Sequence, residues 1–98
     1  MLYLISTAHL VPGTREACLA HARVVIAASL KDAGCISYDV HTSLTDPDRI
    51  VFIERWADRA ALDAHFATEH FKVWRAAIAP HVVSRKLEII TPASIESA

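Results

Sequence analysis

The chain contains little of several residue types that mark special classes of protein. Its 98 residues include two glycines, four prolines and two cysteines. Few glycines and prolines beside 53% hydrophobic residues exclude a linker or a disordered tail. Cys18 and Cys35 are too few for a disulfide framework, so we interpret them as reduced thiols of a cytoplasmic protein. The length corresponds to one domain.

Charge of one sign and long apolar runs are also missing. The formal net charge is −1 and no long basic run occurs, so the sequence predicts no nucleic-acid partner. Its apolar stretches fall short of the roughly 20 residues that span a bilayer, which predicts no membrane partner.

Periodicity and turn residues predict an α+β domain. The predicted elements are a strand at 2–11, a helix at 15–32, strands at 35–44 and 49–56, a helix from 59 to 80, and a strand at 82–91. Asp58 is the expected N-cap of the second helix, and Thr68 can cap a further helical turn. The order β-α-β-β-α-β predicts a ferredoxin-like fold with an antiparallel four-stranded sheet, formed by residues 1–92, and a loose tail at 93–98.

The first helix carries an apolar stripe of small side chains. Its members recur at steps of three and four residues: Ala17, Ala20, Val24, Ala27 and Ala28.

Two helices can cover only one face of the predicted sheet. Phe52 and Trp56 nevertheless lie on one side of the third strand, and Val51 and Ile53 on the other. An uncovered apolar face of this size predicts a homodimer in which two sheets pack face to face. The alternative is a monomer whose tail covers the sheet.

Several short motifs occur in a fixed order along the chain. They are P-G-T-R-E from Pro12, G-C-I-S-Y-D-V from Gly34, D-P-D from Asp46, E-R-W-A-D from Glu54 and L-D-A-H-F-A-T-E-H-F from Leu62. Together they resemble the antibiotic biosynthesis monooxygenase domain family. The resemblance implies a dimeric ferredoxin-like α/β barrel. It also implies an activity like that of cofactor-free quinol and anthrone monooxygenases, of enzymes that process a signalling molecule, or of a related haem-degrading branch. That branch uses an asparagine on the first strand, and this chain has no asparagine.

His65 and His70 are the candidate catalytic residues, because histidine exchanges protons near neutral pH. Five residues of a straight helix separate two side chains by about 140°, so an unbroken helix would point the two imidazoles apart. That spacing argues against a zinc or iron centre, and we predict no metal. If Thr68 starts a new turn, the helix bends and both histidines could converge. The structural alternative is that one histidine packs between the helix and the sheet and the other lies in solvent.

The remaining site residues are predicted to bind a small aromatic or apolar substrate. Aromatic rings would form a flat slot, Arg85 or Tyr38 would donate to an anion, and Glu54 would orient a histidine or act as a buried anchor. The predicted binding residues are His9, Tyr38, Phe52, Glu54, Trp56, Trp74 and Arg85.

Together with these residues, the resemblance implies a cofactor-independent monooxygenase that acts on a quinol-like or polycyclic phenolic substrate. A histidine would remove a proton, and the resulting anion would react with molecular oxygen without a cofactor. Two alternatives stay open: isomerisation of a small hydroxy-ketone, and a non-catalytic dimer that binds an apolar metabolite.

Overall fold

A computed structural model of residues 1–98 contains four strands and three α-helices. The elements are β1 (Leu2–Leu10), α1 (Arg15–Ser29), β2 (Cys35–Thr42), β3 (Arg49–Trp56), α2 (Arg59–Phe66), α3 (Glu69–Ile78), a 3-10 turn (Ala79–His81) and β4 (Val82–Ile90). The strands form one antiparallel sheet in the order β2-β3-β1-β4. The predicted ferredoxin-like fold is confirmed, with the second helix divided into two. No helix has both the length and the apolar character needed to cross a membrane.

The break between α2 and α3 lies at Thr68, whose backbone is extended with φ −71° and ψ 153°. Its hydroxyl donates to the carbonyl of His65 at 2.6 Å and accepts from the amide of Phe71 at 3.3 Å. Asp58 caps α2 by accepting from the amide of Ala61 at 2.8 Å. Both caps match the sequence prediction. The cap at Thr68 turns the chain between the two histidines.

The buried face of α1 is not the apolar stripe noted in the sequence. The stripe is mostly exposed, and Val24 is 67% exposed. A different set recurs at helical spacing and is buried: Cys18, Ala22, Val25 and Ser29. Because α1 is apolar on more than one side, periodicity alone does not select the buried face.

One face of the sheet packs beneath the helices, but the cover is incomplete. On β1 and β3 the alternate residues directed at the helices are buried: Leu2, Leu4, Ala8, Leu10, Ile50, Phe52, Glu54 and Trp56. β4 is an edge strand that the helices hardly reach, and Leu87 is 41% exposed. A gap therefore remains between α3 and the β1–β4 side of the sheet.

The opposite face of the sheet carries no helix. The apolar residues on this face are Tyr3, Ile5, Val51, Ile53 and Ile90, which the strand registers place beside one another. Charged side chains also lie on this face, including Arg55, Lys86 and Glu88.

Candidate active site

A cavity of about 350 Å³ lies between the helical layer and the sheet. This volume is within the range of pockets that hold small organic ligands. Most of its wall is apolar. The lining residues are Leu4, Ser6, Ala8, Tyr38, Phe52, Glu54, Phe66, Phe71, Trp74, Arg75, Ile78, Arg85 and Leu87.

Aromatic rings form much of the wall. Phe52 on the floor of the sheet lies 5.1 Å from Trp74 of α3, and 5.8 Å from Tyr38, measured between ring centroids. Phe66 and Phe71 lie 5.0 Å apart where α2 meets α3. Such rings favour a flat, apolar ligand.

Glu54 is the one carboxyl group in the wall of this cavity, and it is only 4% exposed. Its side chain accepts a hydrogen bond from the indole Nε1 of Trp56 at 3.0 Å. Burial raises the pKa of Glu54 to about 7, and the bond from Trp56 opposes that rise only partly. Near neutral pH this carboxyl group can therefore both accept and release a proton.

Tyr38 stands beside Glu54 in the cavity wall, since the two residues are partners across β2 and β3. Burial first, and then the charge of Glu54, raise the pKa of Tyr38 far above its ordinary value. The phenol therefore keeps its proton and can act as a hydrogen-bond donor at neutral pH.

Two arginines give the cavity positive charge. Arg85 projects from β4 and Arg75 from α3, and both side chains line the cavity. Guanidinium groups stay charged and match the geometry of anionic oxygens.

His65 and His70 meet at a corner formed by α2, α3 and the turn after α1. Nδ1 of His65 and Nε2 of His70 each lie 2.8 Å from the same oxygen, Oδ2 of Asp32. His65 is 1% exposed, and its ring packs 4.7 Å from Trp56 and 5.4 Å from Tyr38. Burial lowers the pKa of His65, although its contact with Asp32 acts in the opposite direction.

The structure thus divides the predicted site residues into separate places. Five of them line the cavity: Tyr38, Phe52, Glu54, Trp74 and Arg85. Trp56 lies behind the wall as the partner of Glu54. His65 and His70 are at the Asp32 corner and are not part of the cavity lining. His9 projects from the opposite face of the sheet, 3.9 Å from Asp46.

Sequence reasoning missed Arg75 and Asp32. Arg75 follows Trp74 directly, so its position on a predicted helix beside an aromatic ring was a usable signal. No signal in the sequence indicated Asp32, because its partners lie 33 and 38 residues further along the chain.

The fold and the cavity define a small ferredoxin-like domain with a cavity of ligand size between its helices and its sheet. Residues 1–77 match the model of the antibiotic biosynthesis monooxygenase family, and the chain belongs to that family. It is 31% identical to "Probable quinol monooxygenase YgiN" of Escherichia coli strain K12, over 94% of this chain and 98% of that protein.

Solved structures share this fold. The crystal structure of PA3566 from Pseudomonas aeruginosa has a TM-score of 0.87 and 33% identity, and the match covers 95% of this chain and 94% of that one. The structure of Rv0793 from Mycobacterium tuberculosis has a TM-score of 0.89 and 27% identity, with 98% of each chain covered.

Proposed function

We propose that the protein is a cofactor-independent monooxygenase that oxidises a quinol-like or polycyclic phenolic substrate inside the cavity. The observation that carries this proposal is a buried carboxyl group with a pKa of about 7 in the wall of an aromatic cavity. Similarity to a relative named as a quinol monooxygenase supports the same class of substrate.

Glu54 is the base in this proposal. It lines the cavity, and a pKa near the working pH makes a group effective in general base catalysis. The predicted bases, His65 and His70, lie at the Asp32 corner, and the rings of Tyr38, Phe66 and Phe71 lie between His65 and the cavity. They are the second candidates, and their variants form a separate arm of the test.

The reaction begins when Glu54 takes a proton from the hydroxyl or the activated carbon of the substrate. The electron-rich anion passes electrons to molecular oxygen, and a carbon–peroxide bond forms. Protonated Glu54 returns its proton to the outer oxygen of the peroxide. The remaining C–H bond then breaks together with the O–O bond: its electron pair forms the C=O bond, and its proton joins the departing hydroxide. For a CH₂ group that becomes a carbonyl, one oxygen atom stays on carbon and the other leaves as water. The substrate supplies all the electrons, so the equation balances without another reductant.

The cavity wall stabilises the anion that forms after proton transfer. Arg85 and Arg75 supply positive charge, and Tyr38 keeps its proton and can donate a hydrogen bond to an anionic oxygen. Fixed donors in a site that excludes water stabilise developing charge more strongly than water does.

An oxygen electrode tests the proposal with anthrone and a naphthoquinol as probes. The wild-type protein should consume one oxygen molecule for each product formed. Glu54→Gln removes the base but keeps the size of the side chain, so we expect the rate to fall by about 10²- to 10⁴-fold. Glu16→Gln, an exposed change in the first turn of α1, is the matched control and should keep the wild-type rate.

Two outcomes would contradict the proposal in different ways. Equal rates in wild type and Glu54→Gln, together with a large loss of rate in His65→Gln, would assign the role of base to His65 at the Asp32 corner. An absence of oxygen uptake with any of these probes would remove the oxygenase assignment. Proton exchange into a hydroxy-ketone without oxygen uptake would then favour an isomerase.

We also propose that two copies associate through the open face of the sheet. The apolar centre formed by Tyr3, Ile5, Val51, Ile53 and Ile90 supports this, because a monomer would leave it in water. Sedimentation equilibrium at micromolar concentration should give a dimer mass. Ile53→Lys should shift it to the monomer, and a wild-type monomer would exclude this arrangement.

A further inference from the structure

We propose that Asp32, His65 and His70 form a binding site for one divalent transition-metal cation. The site lies at the corner where α1, α2 and α3 meet, and it is separate from the cavity that Glu54 lines. No part of this inference depends on the oxygenase reaction.

The three side chains supply one ligand atom each, and these atoms all lie within 4.8 Å of one another. Nδ1 of His65 and Nε2 of His70 are both 2.8 Å from Oδ2 of Asp32. Neighbouring ligands of a metal with bonds of about 2.0–2.2 Å lie about 3 Å apart, so these two N···O separations are close to the required ones.

Neither neutral form of His65 is satisfied by Asp32 alone. If Nδ1 carries the proton and donates to Asp32, Nε2 is a buried lone pair without a hydrogen-bond partner. The rings of Trp56, Tyr38 and Phe71 pack against the His65 ring, and aromatic faces do not donate hydrogen bonds.

The other neutral form has the complementary defect. If Nε2 carries the proton, it can point at an aromatic face as an N–H donor, which is favourable. Nδ1 then presents a lone pair to the Asp32 oxygen 2.8 Å away, and two acceptors repel each other at that distance. A cation between Nδ1 and Oδ2 removes this repulsion, because both atoms become its ligands.

The donor set selects the class of cation. Two imidazoles and one carboxylate suit first-row transition metals such as Zn²⁺ and Co²⁺, whereas Mg²⁺ and Ca²⁺ prefer oxygen ligands. His70 and Asp32 are partly exposed. His70 also lines a surface groove of about 440 Å³ between α1 and α3, which gives a cation a route from solvent.

The experiment uses the full-length protein, stripped with a chelator and titrated with Co²⁺. Cobalt bound by nitrogen and oxygen ligands at low coordination number shows visible absorption bands. We expect one Co²⁺ per chain, displacement by Zn²⁺, and no displacement by Mg²⁺. Affinity should also fall as the solution becomes acidic, because protons compete for the imidazoles.

Two variants and one control locate the site. Asp32→Asn and His70→Gln should each weaken Co²⁺ binding by at least about tenfold, since each removes a ligand. His21→Gln changes a histidine of the same groove that is outside the ligand set, so it should bind like wild type. Circular dichroism checks that each variant is folded, and the partly exposed His70 makes His70→Gln the safer of the two.

The result that supports the site is saturable binding lost in both ligand variants and kept in the control. Absence of saturable binding at millimolar Co²⁺ would overturn the proposal and leave Asp32 as a hydrogen-bond acceptor for both histidines. An equal loss in His21→Gln would also overturn it, because the metal would then be held by surface histidines of the groove.

Discussion

The cavity and the Asp32 corner each contain a buried ionisable group, but the two groups have opposite surroundings. Glu54 has one neutral partner, the indole of Trp56, and its pKa rises to about 7. His65 has an acidic partner, and burial still lowers its pKa. Tyr38 contacts the His65 ring and lines the cavity beside Glu54, so the two regions share a wall. A carboxyl group that is buried without an ionic partner has a pKa in the range for proton transfer near neutral pH. A buried imidazole with an ionic partner is instead held in one orientation.

The largest expected stability effect is a pH dependence of the unfolding free energy that Glu54 in the cavity causes and Asp32 at the corner does not. Because the folded-state pKa of Glu54 lies above its ordinary value of 4.5, the unfolded chain loses this proton first, and folding becomes less favourable as pH rises towards about 7. Glu54→Gln abolishes this loss of stability, because glutamine does not ionise. Between about pH 4 and pH 8, the variant should gain up to about 3 kcal/mol of unfolding free energy relative to wild type.

Urea denaturation at the two pH values measures that difference. Asp32→Asn serves as the comparison, since Asp32 is at the other region. The same gain in Asp32→Asn, or no gain in Glu54→Gln, would mean that burial of Glu54 does not govern the pH dependence.

A smaller effect tests how tightly the corner is packed. Gly34 has φ +81°, and a Cβ atom there would lie 2.5 Å from Cβ of Ala61 in α2. Gly13 has a similar φ of +85° but open space around it. Both changes to alanine incur the cost of the left-handed conformation, but only Gly34→Ala also displaces α2. We expect Gly34→Ala to destabilise the fold by about 2 kcal/mol more than Gly13→Ala.

Thermal and urea unfolding of the two glycine variants would measure this gap. Equal costs would show that α2 moves freely away from residue 34, and that the corner is looser than the described contacts indicate.

The smallest effect concerns the break between the two histidines. Thr68→Ala removes the side-chain bonds to the carbonyl of His65 and the amide of Phe71. The lost cap should lower the unfolding free energy by about 1 kcal/mol. Thr68→Ser keeps both bonds and should be close to wild type by urea denaturation. A serine variant as unstable as the alanine variant would assign the effect to packing of the methyl group.

Most of the fold could be predicted because its signals are local. Alternation in β2 and β3, the turn between them and the caps at Asp58 and Thr68 each depend on a few consecutive residues. The buried face of α1 could not be predicted this way, since Val24 and Val25 are equally apolar and only packing against α3 and the sheet decides which is covered.

The site was predictable to the extent that strand alternation governs it. Phe52 and Glu54 lie on one face of β3, and that face is the floor of the cavity. The meeting of Asp32 with His65 and His70 depends on how three helices pack, and no local pattern encodes it. Spacing along one helix argued that the histidines diverge, but the Thr68 turn ends α2 before His70.

The pH dependence of oxygen uptake tests the central claim most directly. With anthrone as the probe, the wild-type rate should rise through a single ionisation near pH 7, where Glu54 becomes a carboxylate. Glu54→Gln should lose that rise, and Glu16→Gln should keep it. A Glu54→Gln protein with the wild-type rate and the wild-type profile would contradict the assignment of Glu54 as the base.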